Sequence, residues 1–189
     1  MRGTANNQDP NVENGTCDVK IYSSDNLVDW KQLSTVISRK SNIEDGRLYY
    51  SNRLNKLLFL FEQEDYDKKP SSLKVIESGD MGKTWTNERF ILEPIADSEP
   101  AGMFEIGCST HVFFSSDINN PGQSYEGGNA FYVYSKNGLS SWSSPNTIEL
   151  GDNILLIDVI MASDKIYFAA FKNYLTNRQM MLFNGILKY

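Results

Sequence analysis

Apolar and polar residues alternate along this chain with a period of two, in short runs separated by clusters of Gly, Asn, Asp and Ser. That rhythm predicts strands, and no stretch sustains the periodicity of an amphipathic helix. Thirteen strands are expected. Asp18–Tyr22 and residues 31–38 come first. Arg47–Asn52, Lys56–Phe61, Ser72–Glu77 and Arg89–Leu92 form a second group. Met103–Gly107, Thr110–Phe114, Ala130–Tyr134 and Thr147–Leu150 form a third, and Leu155–Met161, Lys165–Phe171 and Met180–Leu187 a fourth. Residues 1–16 are polar, rich in Asn, Asp and Gly, and read as a disordered lead-in. The expected fold class is all-β.

One turn between strands recurs. Ser78-Gly79-Asp80-Met81-Gly82-Lys83-Thr84-Trp85 fits the pattern S-x-D-x-G-x-T-W at every specified position. Ser and Asp side chains bond nearby backbone in such a turn, Gly82 supplies a φ > 0 corner, and Trp85 packs back on the sheet. A weaker copy starts at Ser23 and keeps Asp25 and Trp30; another starts at Ser135 and keeps Trp142, with Asn137 for Asp and Ser141 for Thr. The three copies begin at positions 23, 78 and 135, so they lie 55 and 57 residues apart, and they hold all three tryptophans. A fixed period of that length marks a repeat array.

This octapeptide is the Asp box, and the chain resembles the Asp-box (BNR-repeat) β-propellers of the sialidase and exo-glycosidase superfamily. The resemblance implies blades of four antiparallel strands, with a box between the third and fourth strand of each. It divides residues 17–189 into blade pieces of about 17–40, 43–95, 98–150 and 152–189. A six-bladed ring at this period takes about 340 residues, so the expectation is a single partial propeller domain of about three blades' worth. Open strand edges then invite self-association. The box itself speaks of fold, since non-catalytic propellers carry it too.

Charge and composition narrow the partners. The formal net charge of −6 offers no electrostatic footprint for nucleic acid. No apolar run is long enough to span a membrane as a helix; Leu57–Phe61 is the length of a buried strand. Cys17 and Cys108 show no motif spacing and read as free thiols; the one histidine, His111, reads as structural. No metal site or cofactor is expected. The family resemblance implies a secreted or periplasmic protein, although the N-terminal residues show no apolar signal segment.

Candidate chemistry follows from blade geometry. Boxes occupy one end of a blade, so a site near the ring axis draws on the other end. There the blade-crossing segments supply Glu44, Asp45 and Arg47, then Ser98, Glu99 and Pro100, then Asp152 and Asn153. The loops between second and third strands supply Glu62, Glu64 and Asp65, then Asp117 and Tyr125, then Arg178. Carboxylates, a tyrosine and arginines on one face suit glycoside cleavage, which takes two carboxyl groups flanking the scissile bond. Glu99 is the expected catalytic group. Ser98-Glu99-Pro100 followed by Phe113–Asp117 resembles the corresponding blade of Asp-box exo-glycosidases, in which such a Glu can be catalytic. The alternative is a solvated loop acid ahead of a strand-initiating proline. Arg47, Asp45, Glu64, Asp117, Tyr125 and Arg178 are the expected substrate-binding residues. Arg47 reads equally as a surface salt-bridge residue, and Glu64 as part of a solvated charged loop. The Phe/Tyr-Arg-Ile-Pro motif that carries the first substrate arginine in sialidases is absent. The resemblance thus implies a carbohydrate ligand and a sialidase-like exo-glycosidase of low activity by itself; a non-catalytic propeller binding glycan or protein is the competing class.

Overall fold

The computed structural model describes residues 16–65, 68–94, 96–119, 128–163, 165–173 and 177–186. The expected lead-in and the Tyr125 loop lie outside these residues, apart from Thr16. Thirteen strands are present among the described residues, as many as the alternation predicts. β1 (Cys17–Ser23) and β2 (Lys31–Arg39) make a two-stranded sheet. β3 (Asn42–Ser51), β4 (Lys56–Asp65), β5 (Lys68–Ser78) and β6 (Thr86–Leu92) make a four-stranded one. β7 (Ser98–Ile106), β8 (Ser109–Ser116), β9 (Asn129–Ser135) and β10 (Asn146–Ile148) make another. β11 (Ile154–Ala162), β12 (Lys165–Lys172) and β13 (Gln179–Ile186) close the series. Every neighbour pair is antiparallel and consecutive in sequence, so each sheet is an up-and-down blade.

Blades stack through their apolar faces. Val36 and Ile37 of the first sheet meet Phe59, Phe61 and Ile76 of the second. The opposite face of the second sheet, carrying Leu58, Leu60, Leu73 and Val75, meets Met103, Val112, Phe114, Phe131 and Val133 of the third. Ala101, Ile106 and Phe113 then meet Ile154, Leu156, Val159, Ile166 and Phe168 of the fourth. Alternation puts successive residues on opposite faces, which lets one strand serve two cores. Apolar side chains stay exposed on the flanks of the arc: Leu48 and Tyr50 on the second sheet, Ile160, Met180 and Leu182 on the fourth.

The recurring turn is tied by its own polar atoms. The Ser78 hydroxyl accepts the Gly82 amide at 2.8 Å and donates to Asp80 Oδ1 at 2.8 Å. Asp80 accepts the Lys83 and Thr84 amides at 3.0 and 2.8 Å and the Thr84 hydroxyl at 2.7 Å. Those bonds, led by the Thr84 amide, lower its carboxyl to a pKa of about 2. Met81 and Gly82 both take positive φ, of 60° and 88°. Trp85 Nε1 donates to the Gly82 carbonyl and to Ser34 of the first sheet. The third copy repeats this geometry around Ser135 and Asn137, with Gly138 and Leu139 at positive φ. Its Trp142 packs against the core shared by the second and third sheets. The first copy differs: it is one residue shorter, and the anchor is Asn26, which accepts the Val28 and Asp29 amides, rather than the expected Asp25. Trp30 is exposed and donates to the Leu27 carbonyl.

Two inner strands begin earlier than their alternation suggests. β3 runs from Asn42 and β7 from Ser98, so Glu44, Asp45 and Glu99 lie within strands and not in connecting loops. The irregular stretch that hides these starts is a bulge. On β3, Asp45 and Gly46 together oppose a single residue between Glu62 and Leu60. On β7 the extra residue is Ala101, and on β11 it is Ile157. All three inner strands are thus bulged near the same end of the arc, opposite the Ser78–Trp85 turn.

Candidate active site

Four residues of β4 share the face that meets the third sheet: Leu58, Leu60, Glu62 and Glu64. The first two belong to the apolar core, and the next carries that line onward as an acid. Glu62 is 3% exposed. Burial pushes its carboxyl well above the ordinary range. The Ser71 hydroxyl donates to it and works against that rise, while the charges of Glu99, Asp97 and Glu64 add to it. Ligand oxygens of Glu62, Glu64 and Asp97 lie within 4.8 Å of one another. Carboxyl groups that close do not all ionise together, so such a cluster retains a proton. The same three oxygens could hold a hard divalent cation, though Ca²⁺ takes six to eight ligands.

Asp97 links this cluster to a pocket between the third and fourth sheets. Its wall includes Asp97, Glu99, Ser115, Asp117, Gly128 and Ile154, and it encloses about 310 Å³ including its open mouth. Glu99, second residue of β7 and paired with Ser115, is half-buried in that wall. Asp117 also lines the pocket, yet its Oδ1 accepts the Asp97 amide at 2.9 Å and its own amide donates to the Asp97 carbonyl. It fastens the start of β7 to the end of β8. Ser71 does the equivalent between sheets, its hydroxyl accepting the Ser98 amide at 2.9 Å. Glu62, Ser71 and Ser98 therefore form one continuous hydrogen-bonded path from the second sheet to the strand of Glu99.

Arg47 reaches across all three inner strands. Its Nη1 donates to the Asp45 and Gly46 carbonyls, both at 3.3 Å. Nε donates to the Ala101 carbonyl at 3.4 Å, and Nη2 to the Ile157 carbonyl at 3.1 Å. Every acceptor belongs to an extra residue of a bulge, whose main-chain groups the ladder leaves without partners. Two glycines nearby allow close packing, Gly102 against β11 and Gly46 against its own sheet. A Cβ on Gly46 would stand 2.5 Å from the Phe59 ring, and one on Gly102 would stand 3.2 Å from the Val159 carbonyl oxygen.

The remaining expected residues fall at varied distances from this centre. Asp45, at φ 47°, forms the β3 bulge. Glu64 joins the Glu62 cluster. Arg178 is exposed on the fourth sheet, its guanidinium 5.1 Å from the centre of the Phe171 ring. Tyr125 lies outside the described residues. His111 sits among Phe113, Tyr132 and Tyr134, where burial lowers its pKa. Cys17 and Cys108 are free thiols. Sequence reasoning placed Glu62 among loop acids; the usable signal was its place, two residues on from Leu60, on a face already apolar.

No protein-family model matches the sequence, and no curated protein matches it. Solved structures do. A Hadza microbial sialidase aligns over 88% of this chain and 38% of its own, with a TM-score of 0.64 and 13% identity. The GH93 α-L-arabinofuranosidase of Fusarium graminearum, in complex with arabinobiose, aligns over 88% of this chain and 54% of its own (TM-score 0.66, 12% identity). An α-L-arabinanase of Penicillium chrysogenum, also complexed with arabinobiose, gives the same coverage (TM-score 0.65, 13% identity). The chain spans about two fifths to just over half the length of these structures. They are glycoside hydrolases with β-propeller folds. At such identities the likeness speaks of fold: this chain is an all-β arc of propeller blades.

Proposed function

We propose that the bulged end of the arc binds a carbohydrate and takes part in cleaving its glycosidic bond, as an exo-glycosidase site would. The observation that carries this reading is Glu62, a buried carboxyl biased toward its protonated form and set beside three other acids. Glycoside cleavage needs one carboxyl that gives a proton to the leaving oxygen and another that attacks the anomeric carbon or activates water. Here Glu62 gives up the proton, Asp97 beside it takes that proton and delivers it to the leaving oxygen in the pocket, and Glu99 on the pocket wall is the catalytic nucleophile or base. Asp117 and Ser71 keep the strand of Glu99 in place. A sugar without a carboxylate is favoured over a sialic acid, because the Arg47 guanidinium already serves four main-chain carbonyls.

A binding-only site is the second reading, favoured by the depth of Glu62, which stands behind the pocket wall. Hydrolysis of aryl arabinofuranosides, galactosides and sialosides by the 189-residue chain separates the two. Turnover is expected to be slow and to fall by about 10³-fold or more in Glu99→Gln. Turnover that Glu99→Gln leaves unchanged removes Glu99 from the reaction. Sugar binding without turnover of any substrate supports the binding-only site.

A further inference from the structure

Arg47 does more than fill space at the end of the arc. A guanidinium has five N–H donors in a rigid plane, and here they point at carbonyls of three different strands. The Ala101 carbonyl lies two residues from Glu99 on β7. The Arg47 backbone lies three residues from Glu44, which pairs with Glu62 across the β3–β4 ladder. The bond from Nε to Ala101 therefore ties the strand of Glu99 to the sheet of Glu62. The bond from Nη2 to Ile157 ties in β11, whose Ile154 and Leu155 line the far wall of the pocket. β7 and β11 approach closely at Gly102, where a Cβ would meet the Val159 carbonyl oxygen, which leaves little room for another arrangement of those two strands.

We propose that Arg47 is the positioning residue of the carboxylate site: by joining β3, β7 and β11 at their bulges, its guanidinium fixes where Glu99 stands relative to Glu62. This rests on the glycosidase reading only for the purpose of the spacing, and the spacing itself can be measured without a sugar. Lysine keeps the charge but offers its donors from a single point, so it cannot hold two neighbouring strands at once. A residue that merely contacted an anionic ligand would tolerate that exchange.

The test uses the full chain with ¹³C-labelled glutamate, comparing wild type, Arg47→Lys and Arg47→Ala. The first readout is the titration of the Glu62 carboxyl, which faces Glu64 on its own strand, Glu44 opposite on β3, Ser71 on β5, and Asp97 and Glu99 from the third sheet. The second is affinity for galactodeoxynojirimycin, an iminosugar probe. With Arg47→Lys folded by circular dichroism, Glu99 is released and water enters. The proton affinity of Glu62 is expected to fall by about threefold or more, and probe affinity by about tenfold. Methylguanidinium added to Arg47→Ala is expected to restore both. A lowered melting temperature with the Glu62 titration and probe affinity unchanged overturns the proposal. Should wild type bind no sugar probe, the glycosidase reading falls, and the Glu62 titration still decides the role of Arg47. If neither variant folds, ¹⁵N spectra of wild type decide: a guanidinium Nε–H that exchanges as fast as in free arginine overturns the proposal, and a protected one supports it.

Discussion

Replacing Glu62 by Gln keeps the size of the side chain and a partner for Ser71, and removes one titrating proton. The physical expectation is unusual, because deleting a charge from a candidate active site should make the protein more stable. A carboxyl whose folded pKa lies above its unfolded value, near 4.3, holds its proton more tightly in the folded state. Its contribution is then fully present below the unfolded value and is lost as pH rises toward the folded one. Across that window wild-type stability should fall by up to about 1.4 kcal/mol per pH unit. Burial, followed by the charges of Glu99, Asp97 and Glu64, sets the upper limit of the window well above the ordinary carboxylate range. In Glu62→Gln that slope disappears. Urea unfolding at pH values from 4 to 8 measures both proteins, and only the difference between the curves matters, since His111 and the surface groups cancel. The two are expected to be close in stability near pH 4 and to diverge as pH rises, Glu62→Gln becoming the more stable toward pH 8. Parallel curves would mean that Glu62 titrates as an ordinary acid, and the proton donor of the proposed site would be lost.

Asp80→Ala should lower the melting temperature at pH 7 by about 2–4 °C, through the hydrogen bonds lost from the turn, while leaving sugar binding at the opposite end unchanged. Because the folded pKa of Asp80 is depressed to about 2, its contribution is present above the unfolded value near 4 and is lost as pH falls through 2; melting curves of the two proteins should converge there. Gly46→Ala places a Cβ 2.5 and 2.7 Å from carbons of the Phe59 ring. It is expected to cost about 1–3 kcal/mol in urea unfolding, and Phe59→Leu in the same chain should recover part of that loss.

The number and order of strands were legible because a half-buried strand writes its period into the sequence; Lys56–Phe61 and Thr110–Phe114 could hardly be anything else. The turn was legible too, since Ser78 and Asp80 accept backbone amides, and Thr84 donates its hydroxyl to Asp80, all within four residues. Where polarity interrupted the alternation, sequence reasoning stopped the strand early. It ended β4 at Phe61, although pairing continues through Glu62 and Gln63, and so the buried acid was counted as a loop residue. Arg47 was beyond reach for another reason. The Ala101 and Ile157 carbonyls come from 54 and 110 residues away, and a main-chain acceptor leaves no mark on residue identity.

The bulges also explain why Glu99 faces the pocket. Along an unbroken strand, odd-numbered residues of β7 would share one face, and Glu99 would lie on the side of Met103, in the core between the second and third sheets. The extra residue at Ala101 reverses the alternation. Ser98, before it, still bonds Ser71 of the second sheet, and Met103, after it, still packs there. Glu99 is carried to the face of Phe104 and Ile106, which meets the fourth sheet. β11 behaves in the same way, with Ile154 and Leu156 before its bulge and Val159 after it all in one core. On β3 the bulge puts Glu44 and Arg47 on the face shared by their partners Glu62 and Leu60. A single inserted residue in each inner strand thus does two things at once. It turns acids toward the ends of the cores, where water and a ligand can meet them, and it frees the carbonyls that Arg47 needs to hold those strands together.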